Sequence, residues 1–391
     1  MSLHHRHIFH YLANKEINEV YISMALLTLS ESLISIFVPI YLLTLNFPIY
    51  QIIFFYLLWA LYYTILTPFL TKIIPRIGVK HTILLSMPFL IAFYLGLNYV
   101  TVNPIIIYIL PLFITIHSSL FNTSFHLNFI GHADKKRMGR ELSFLYIILT
   151  VMHLISPFVG GLLIYNFGFK LTYMVGAILV FLSTAPLFFT KDTKNYSSFT
   201  NKDLFNSIKS KKNINLNLSY TGYAVENVIH RIIWPIFIFL ILQNIKQLGL
   251  LTSLSMIIAI VVFFFVGKLT DNSSKKRLIK IGTILYSIGW FCRLFVNSTT
   301  SFLIVDSYKN ASYSLLFTPW STRTYNLAMR KKHFIFIVAR EIVFNIPRIM
   351  VLPLLMILFF YAPTNIAFFT TFLIAGLSSL LYSRINKVNT T

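Results

Sequence analysis

Apolar runs of transmembrane length recur along the whole chain, and they restrict the possible folds more than any other feature. A bilayer is crossed by a helix of about twenty apolar residues, and about twelve runs satisfy this criterion. They lie at 19–45, 50–74, 80–99, 104–131, 140–166, 170–189, 217–243, 247–270, 277–296, 299–327, 334–361 and 364–383. Lipid offers no partner to an unpaired backbone group, so every run is predicted to be helical. A chain with 57% hydrophobic residues and 11% charged residues is therefore expected to be an all-α membrane protein.

Basic residues are concentrated in the loops on one side of the predicted membrane. That side holds Lys72, Arg76, Lys80, Lys135, Lys136, Arg137, Lys275, Lys276, Arg277, Arg330, Lys331 and Lys332, and the other side only Lys170 and Lys246. The positive-inside rule then places both termini in the cytoplasm, which indicates a multi-pass protein of the plasma (inner) membrane. The net charge of +22 indicates contact with membrane lipids rather than with nucleic acid.

The two halves of the sequence repeat each other. Segment 30–34 matches 226–230, with an acid in each segment and a proline soon after it, and 140–144 matches 340–344. The polar stretch 190–215 separates the halves and is predicted to form a short amphipathic helix around Leu204 on the membrane surface. The chain is thus divided into a first six-helix bundle at 1–189, a cytoplasmic linker at 190–215 and a second bundle at 216–391. Parallel repeats of this kind are typical of transporters.

Two short motifs carry a resemblance to a known family. Gly-Lys-Leu-Thr-Asp at 267–271, followed by Lys-Lys-Arg at 275–277, is similar to the signature between the second and third spans in the major facilitator superfamily. Ser-Pro-Phe-Val-Gly-Gly at 156–161 resembles the fifth-span motif of its drug/proton antiporter branch, although Ser156 replaces the usual glycine. The resemblance implies twelve helices in two pseudo-symmetric six-helix bundles and transport of a small molecule by alternating access.

The same motifs imply gating residues, namely Gly267, Asp271, Arg140, Pro157, Gly160 and Gly161. The family resemblance implies that the aspartate latches the two bundles on the cytoplasmic side, against the start of the fifth span. Glycine pairs let another helix approach closely, and a proline permits a bend. Ordinary helix packing explains the glycines and the proline equally well.

The acids give the most informative pattern. Eight of the eleven, Glu341 among them, are expected at cytoplasmic ends or loops, and the other three are Glu31, Glu226 and Asp306. These lie in the first, seventh and tenth spans, which line the central cavity in the family that the chain resembles. Since a buried carboxyl readily exchanges a proton, all three are candidates for proton coupling. Glu31 is preferred because its helix carries no nearby cation.

Static ion pairing is the alternative role for the other two acids. Asp306 has Lys309 one helical turn away, and Glu226 has His230 and Arg231 within five residues. An ion pair would hold each carboxylate ionised and prevent it from cycling a proton.

Polar residues of the fourth, seventh and tenth spans are the candidates for substrate binding. They are His117, Asn122, His126, Asn227, His230, Arg231, Lys309, Asn310 and Tyr313. The favoured function is a proton-coupled secondary transporter that exports a small organic solute. The alternatives are uptake of a polar or anionic metabolite by symport or uniport, and an intramembrane enzyme or lipid-handling protein. No nucleotide-binding or catalytic motif occurs, and neither a cofactor nor a metal is expected.

Overall fold

The computed structural model describes residues 15–132, 138–188, 192, 198–272, 274–330 and 333–388, and these residues are almost entirely helical. The α-helices are α1 (Lys15–Ser35), α2 (Val38–Thr44), α3 (Ile49–Leu70), α4 (Ile74–Ile77), α5 (Val79–Leu97), α6 (Leu110–His132), α7 (Met138–Ser183), α8 (Asn201–Lys209), α9 (Ile214–Leu242), α10 (Ile245–Asn272), α11 (Lys275–Cys292), α12 (Thr299–Arg330), α13 (His333–Tyr361) and α14 (Thr364–Ser379).

The helices cross a membrane twelve times. Within the described residues, ten segments are long and apolar enough to span a bilayer, and one of them, Phe144–Phe188, contains 45 residues. This segment is two crossings, because the backbone breaks at Gly168. Helix α12 is the remaining crossing; its 32 residues are long enough, but they carry too many polar groups to count as apolar. The predicted fold of twelve transmembrane helices in two bundles is confirmed.

Helix α7 reverses direction at Gly168 without an intervening loop. The φ angle there is 78°, a left-handed conformation that glycine adopts without strain. Both arms of α7 pack on α1, and the second arm also contacts Tyr41 of α2. Ser30 Oγ donates a 2.8 Å hydrogen bond to the carbonyl oxygen of Gly176 in the second arm, and Ser32 Oγ lies 2.5 Å from His153 Nδ1 in the first arm.

Small residues bring the two bundles into contact where α7 meets α10. A Cβ atom added to Gly249 would lie 2.3 Å from the carbonyl oxygen of Pro157, and one added to Gly161 would lie 3.0 Å from the carbonyl oxygen of Ile245. Real Cβ atoms essentially never approach backbone as closely as 2.3 Å, so the contact requires glycine at position 249, and a side chain at position 161 would require Ile245 to shift by a few tenths of an ångström. Helices α3 and α13 pack together at the opposite edge of the bundles. The cavities described below lie between these two seams.

The linker between the bundles contacts both of them. Asp192 accepts hydrogen bonds from the backbone nitrogens of Lys80 (2.9 Å) and His81 (3.1 Å) at the start of α5. Helix α8 begins with a capping box formed by Thr200 and Asp203, packs against α13, and matches the short helix predicted in this region. Just before α8, the rings of Phe199 and Phe334 lie 5.1 Å apart.

Candidate functional site

Two adjoining cavities lie between the bundles at the level of the helix midpoints. Cavity A has a volume of about 330 Å³ and is lined mainly by α1, α3, α6, α9 and α13. Cavity B has a volume of about 380 Å³ and is lined mainly by the first arm of α7 and by α9, α10 and α12. Their common wall consists of Ser32, Ser35, His153, Asn227 and Arg231. These volumes are within the range of small-molecule binding sites.

Glu31 lines cavity A, and its side chain is 44% exposed. The nearest basic group is His117, whose Nε2 lies 3.7 Å from Glu31 Oε1. His117 Nδ1 lies 3.1 Å from the carbonyl oxygen of Ser86, and because a carbonyl only accepts, this nitrogen carries a hydrogen. Nε2 is buried without a hydrogen-bond partner. A neutral His117 therefore presents a lone pair to the carboxylate, and the contact becomes favourable when either group holds one further proton.

The other two predicted residues of the fourth span lie in a polar cluster that joins the bundles. Asn122 Nδ2 lies 3.5 Å from the hydroxyl of Tyr63, which donates a 3.0 Å hydrogen bond to Glu341 Oε2 in α13. His126 Nδ1 lies 2.5 Å from the hydroxyl of Tyr325 in α12. Since α3 and α6 belong to one bundle and α12 and α13 to the other, the cluster forms a polar seam between them.

The position of Glu341 corrects the sequence analysis, which expected this residue at a helix end or in a loop. Its side chain is buried within α13, lines cavity A, and forms a 2.7 Å ion pair with Arg340. The predicted span 334–361 begins two helical turns before Glu341. The sequence therefore already placed this residue inside the membrane, and its position in the span could have identified it as buried.

Asp306 lines cavity B, but it is not paired with Lys309 as the sequence suggested. Its Oδ1 accepts a 2.8 Å hydrogen bond from Arg293, and its Oδ2 accepts one of 2.8 Å from Ser255 and one of 3.3 Å from Asn310. This ion pair could not be predicted from residue spacing on one helix, because Arg293 follows directly after the neighbouring helix α11. Asp306 therefore forms an ion pair, but with Arg293 instead of Lys309.

The guanidinium of Arg293 is fully buried between two tryptophan rings. Its carbon atom lies 3.8 Å from the ring centre of Trp234 and 4.2 Å from that of Trp290. Aromatic faces attract cations, so this sandwich stabilises the charge that Asp306 neutralises.

Glu226 lines cavity B and is almost completely buried. Its two carboxylate oxygens accept hydrogen bonds of 2.7 Å from Tyr286 and 2.6 Å from Tyr382. The predicted pairing with His230 or Arg231 is absent among the described contacts, and two neutral donors replace it. Both tyrosines lie on other helices, so the local sequence around Glu226 contained no sign of them.

Lys309, His230, Asn310 and Tyr313 all line cavity B. Lys309 Nζ lies 3.2 Å from His230 Nε2 and 5.4 Å from the ring centre of Tyr313. His230 Nδ1 faces Arg293 at 3.4 Å, so both imidazole nitrogens face a basic group. A neutral imidazole has one acceptor nitrogen, so His230 can accept a hydrogen bond from Lys309 or from Arg293 but not from both.

Two arginines converge beside Asn227 at the edge of cavity A. Arg231 and Arg348 also line one small recess between α3, α9 and α13. Arg348 donates hydrogen bonds to Asn227 Oδ1 (3.1 Å) and Asn345 Oδ1 (3.2 Å), and the Arg231 guanidinium carbon lies 5.2 Å from the ring centre of Trp59. No carboxylate of the described residues forms an ion pair with either arginine. Arg231 and Asn227 were predicted from the sequence as site residues, whereas Arg348 was not.

The charges around the two cavities do not balance when the carboxyl groups are ionised. The basic members are Arg231, Arg293, Lys309, Arg340 and Arg348, and the acidic members are Glu31, Glu226, Asp306 and Glu341. Five positive charges against four negative charges leave one positive charge unmatched among the described residues. Once the ion pairs Arg340–Glu341 and Arg293–Asp306 are set aside, Lys309 and Glu226 balance in cavity B, and Arg348 and the common-wall Arg231 face Glu31 alone in cavity A. The excess therefore lies in cavity A.

The predicted gating residues are only partly described. Pro157 and Gly161 lie at the α7–α10 contact, and a Cβ added to Gly160 would lie 2.4 Å from the carbonyl oxygen of Leu33. Gly249, the partner of Pro157 and Gly161 in α10, was not identified from the sequence. The side chains of Arg140 and Asp271 and the surroundings of Gly267 lie outside the described part of the structure, so their gating roles stay predictions.

Twelve membrane crossings in two bundles, with charged cavities between them, are the architecture of a membrane transporter. The sequence model of the Major Facilitator Superfamily matches residues 20–242, more than half of the 391-residue chain. The chain belongs to this superfamily of transporters, whose fold supports secondary transport by alternating access, and it is not an enzyme.

Among curated proteins, the chain is similar to the uncharacterized protein YqgE of Bacillus subtilis (strain 168), with 22% identity over 216 residues. That alignment covers 53% of this chain and 50% of YqgE, so the chain spans about half the length of this curated relative.

Solved structures are similar over nearly the whole chain. A bacterial homologue of the iron transporter ferroportin, in an outward-facing state, has a TM-score of 0.73 and 14% identity, with 96% of this chain and 100% of that chain covered. The Escherichia coli fucose:proton symporter FucP has a TM-score of 0.69 and 13% identity, with 96% and 98% covered. A third similar structure comes from work on substrate recognition in proton-dependent oligopeptide transporters. It has a TM-score of 0.70 and 11% identity, with 96% of this chain and 99% of that chain covered. At such low identity these likenesses establish the fold alone.

Proposed function

We propose that the chain is a proton-coupled secondary active transporter for a small organic solute. The solute binds in cavities A and B, and the bundles at 1–189 and 216–391 rock about this site while the linker at 190–215 connects them. The position of the cavities supports this proposal. They lie between the bundles, near the helix midpoints, where alternating access requires a binding site.

The contact between Glu31 and His117 is the observation that carries the proton coupling. Glu31 is reachable from cavity A, while His117 Nε2 is buried, unpartnered and 3.7 Å away. One proton added to the pair converts an unfavourable contact into a favourable one. Protonation thus changes the charge of the cavity that would hold the solute, and such linkage is what coupling requires.

Export is the direction that the fifth-span sequence favours. Pro157 and Gly161 form the close contact with α10, and a rocking motion must pass through this contact. Uptake of an anionic metabolite is the second candidate, and the unmatched positive charge of cavity A favours it. A monoanion that binds together with a proton leaves the net charge of the cavity unchanged. If the monoanion instead replaced a bound proton, the net charge of the cavity would change by two units. Constant charge avoids the cost of an extra ion inside the membrane.

Reconstitution into liposomes with an imposed pH gradient tests the proposal. A panel of small carboxylates, amines and sugars is screened by counterflow, and a pH-sensitive dye inside the vesicles reports proton movement. Glu31→Gln should retain solute exchange and lose accumulation driven by the gradient, because the amide cannot release a proton. Asp203→Asn, which removes a carboxylate from the linker, is the matched control and should behave as wild type. Normal gradient-driven accumulation by the Glu31→Gln protein would remove Glu31 from the mechanism.

A further inference from the structure

Arg231 and Arg348 offer a set of hydrogen-bond donors without matching acceptors. Arg348 uses two N–H groups on the oxygens of Asn227 and Asn345, and its Nε is buried without a partner. Arg231 makes one described contact, with the face of Trp59. Arginine has only donors, so the amide of Asn227 must present its oxygen to Arg348. Its NH₂ group has no acceptor among the described residues and adds to the donors.

Such a set of donors suits an oxyanion. Guanidinium groups bind carboxylates and phosphates through two parallel hydrogen bonds. Because this geometry matches the two oxygens of such anions, arginine prefers them to other ligands. The buried Nε of Arg348 is unfavourable without a partner, and an acceptor supplied by a ligand would satisfy it. Arg231 is exposed, so its donors are accessible to the same ligand. Trp59 and Tyr56 line the same recess and provide an apolar wall beside the two arginines.

The charge balance selects the ligand class. One positive charge is unmatched around the cavities, so a monoanion neutralises the site and a phosphate dianion reverses its sign. We propose that Arg231, Arg348 and Asn227 form a subsite for the carboxylate of a small monocarboxylic solute, whose apolar body lies against Trp59 in cavity A. This proposal rests on the proposed transport function, since it names the substrate class at the same site.

Equilibrium binding tests the subsite without requiring transport. Thermal unfolding of the purified full-length protein in detergent is measured at constant ionic strength with benzoate and acetate, and with the uncharged benzamide and acetamide. Inorganic phosphate forms a separate arm. The carboxylates should stabilise the wild type in a saturable manner and the amides should not. Equal effects of carboxylates and amides, or stronger stabilisation by phosphate, would overturn the assignment.

Substitutions then locate the effect. Arg231→Gln should weaken carboxylate binding by about tenfold to a hundredfold, the range expected for lost hydrogen bonds to a charged group. Arg231→Lys should weaken it less, because the charge stays and only the fork geometry is lost. Lys246→Gln, the matched removal of a charge outside the cavities, should have no effect. Unchanged affinity in Arg231→Gln would refute the subsite even if Arg348 variants fail to fold.

The two proposals fail differently. Carboxylate binding without counterflow in liposomes would leave the subsite standing and refute the transport function. Proton-coupled counterflow of a neutral or cationic solute, insensitive to Arg231→Gln, would leave the function standing and refute the subsite.

Discussion

Replacing Asp306 with asparagine isolates the energetic role of the buried ion pair. The carboxylate accepts hydrogen bonds from Arg293, Ser255 and Asn310, and Arg293 itself is fully buried. Asp306→Asn keeps the size of the side chain and one acceptor oxygen, but it leaves the guanidinium without a counter-charge. The variant therefore measures what an unpaired positive charge costs at this depth.

The magnitude follows from two opposing contributions. Removing one partner of a buried ion pair costs about 3–5 kcal/mol. The cation–π contacts of Arg293 with Trp234 and Trp290 survive the change, and each contributes about 2 kcal/mol when desolvated. The remaining amide oxygen also keeps part of the hydrogen bonding. We therefore expect a loss in the free energy of unfolding at the lower end of the range, about 3 kcal/mol.

Unfolding by titration with SDS in mixed micelles measures this loss. Glu226→Gln is the matched control, because it removes a buried carboxylate whose partners are the neutral Tyr286 and Tyr382; it should cost about 1 kcal/mol. The double variant Asp306→Asn with Arg293→Gln removes both charges and should recover at least half of the loss. An Asp306→Asn protein as stable as the wild type, or no recovery in the double variant, would refute the reasoning.

Two further substitutions test the seam between the bundles and the proton site. Tyr63→Phe removes the hydroxyl that binds Glu341, a bond worth about 1.5 kcal/mol; opening of this seam should become about tenfold more populated, seen as faster hydrogen–deuterium exchange along α13. Exchange at the wild-type rate would exclude a role for this bond in closure. His117→Phe keeps the stacking on Phe121 and should abolish gradient-driven accumulation as Glu31→Gln does, and the double variant should be no worse than either single one. Additive losses would show that the two residues do not share a proton.

The sequence predicted the crossings because hydrophobic length is a local property. Helix α12 was predicted at 299–327 as one of the twelve runs of transmembrane length, although Asp306, Lys309 and Asn310 make the helix itself more polar than the other crossings. The break in α7 was also predictable as a boundary between two runs, although the absence of a loop at Gly168 was not. Each of these features can be detected within one segment.

The partners of the buried charges were not predictable in the same way. Asp306 was expected beside Lys309 because both lie on one helical face, yet Arg293 reaches it from a neighbouring helix. Glu226 and Tyr382 are separated by most of the second bundle in sequence. Helical periodicity predicts which residues share one face of a helix, but not which helices pack against that face. Since a cavity is lined by several packed helices, its contacts could not be predicted from periodicity.

The anchoring of the linker sets a limit on how far the transporter can open. Asp192 is bound to the start of α5 in the first bundle, while Phe199 packs on α13 in the second. Seven peptide units join these two positions, and a fully extended chain covers at most about 3.6 Å per residue, or roughly 25 Å in all. The linker therefore limits the distance between its two anchor points, one on each bundle, to this length. Shortening it by two residues would reduce the greatest possible separation of the two anchor points by about 7 Å.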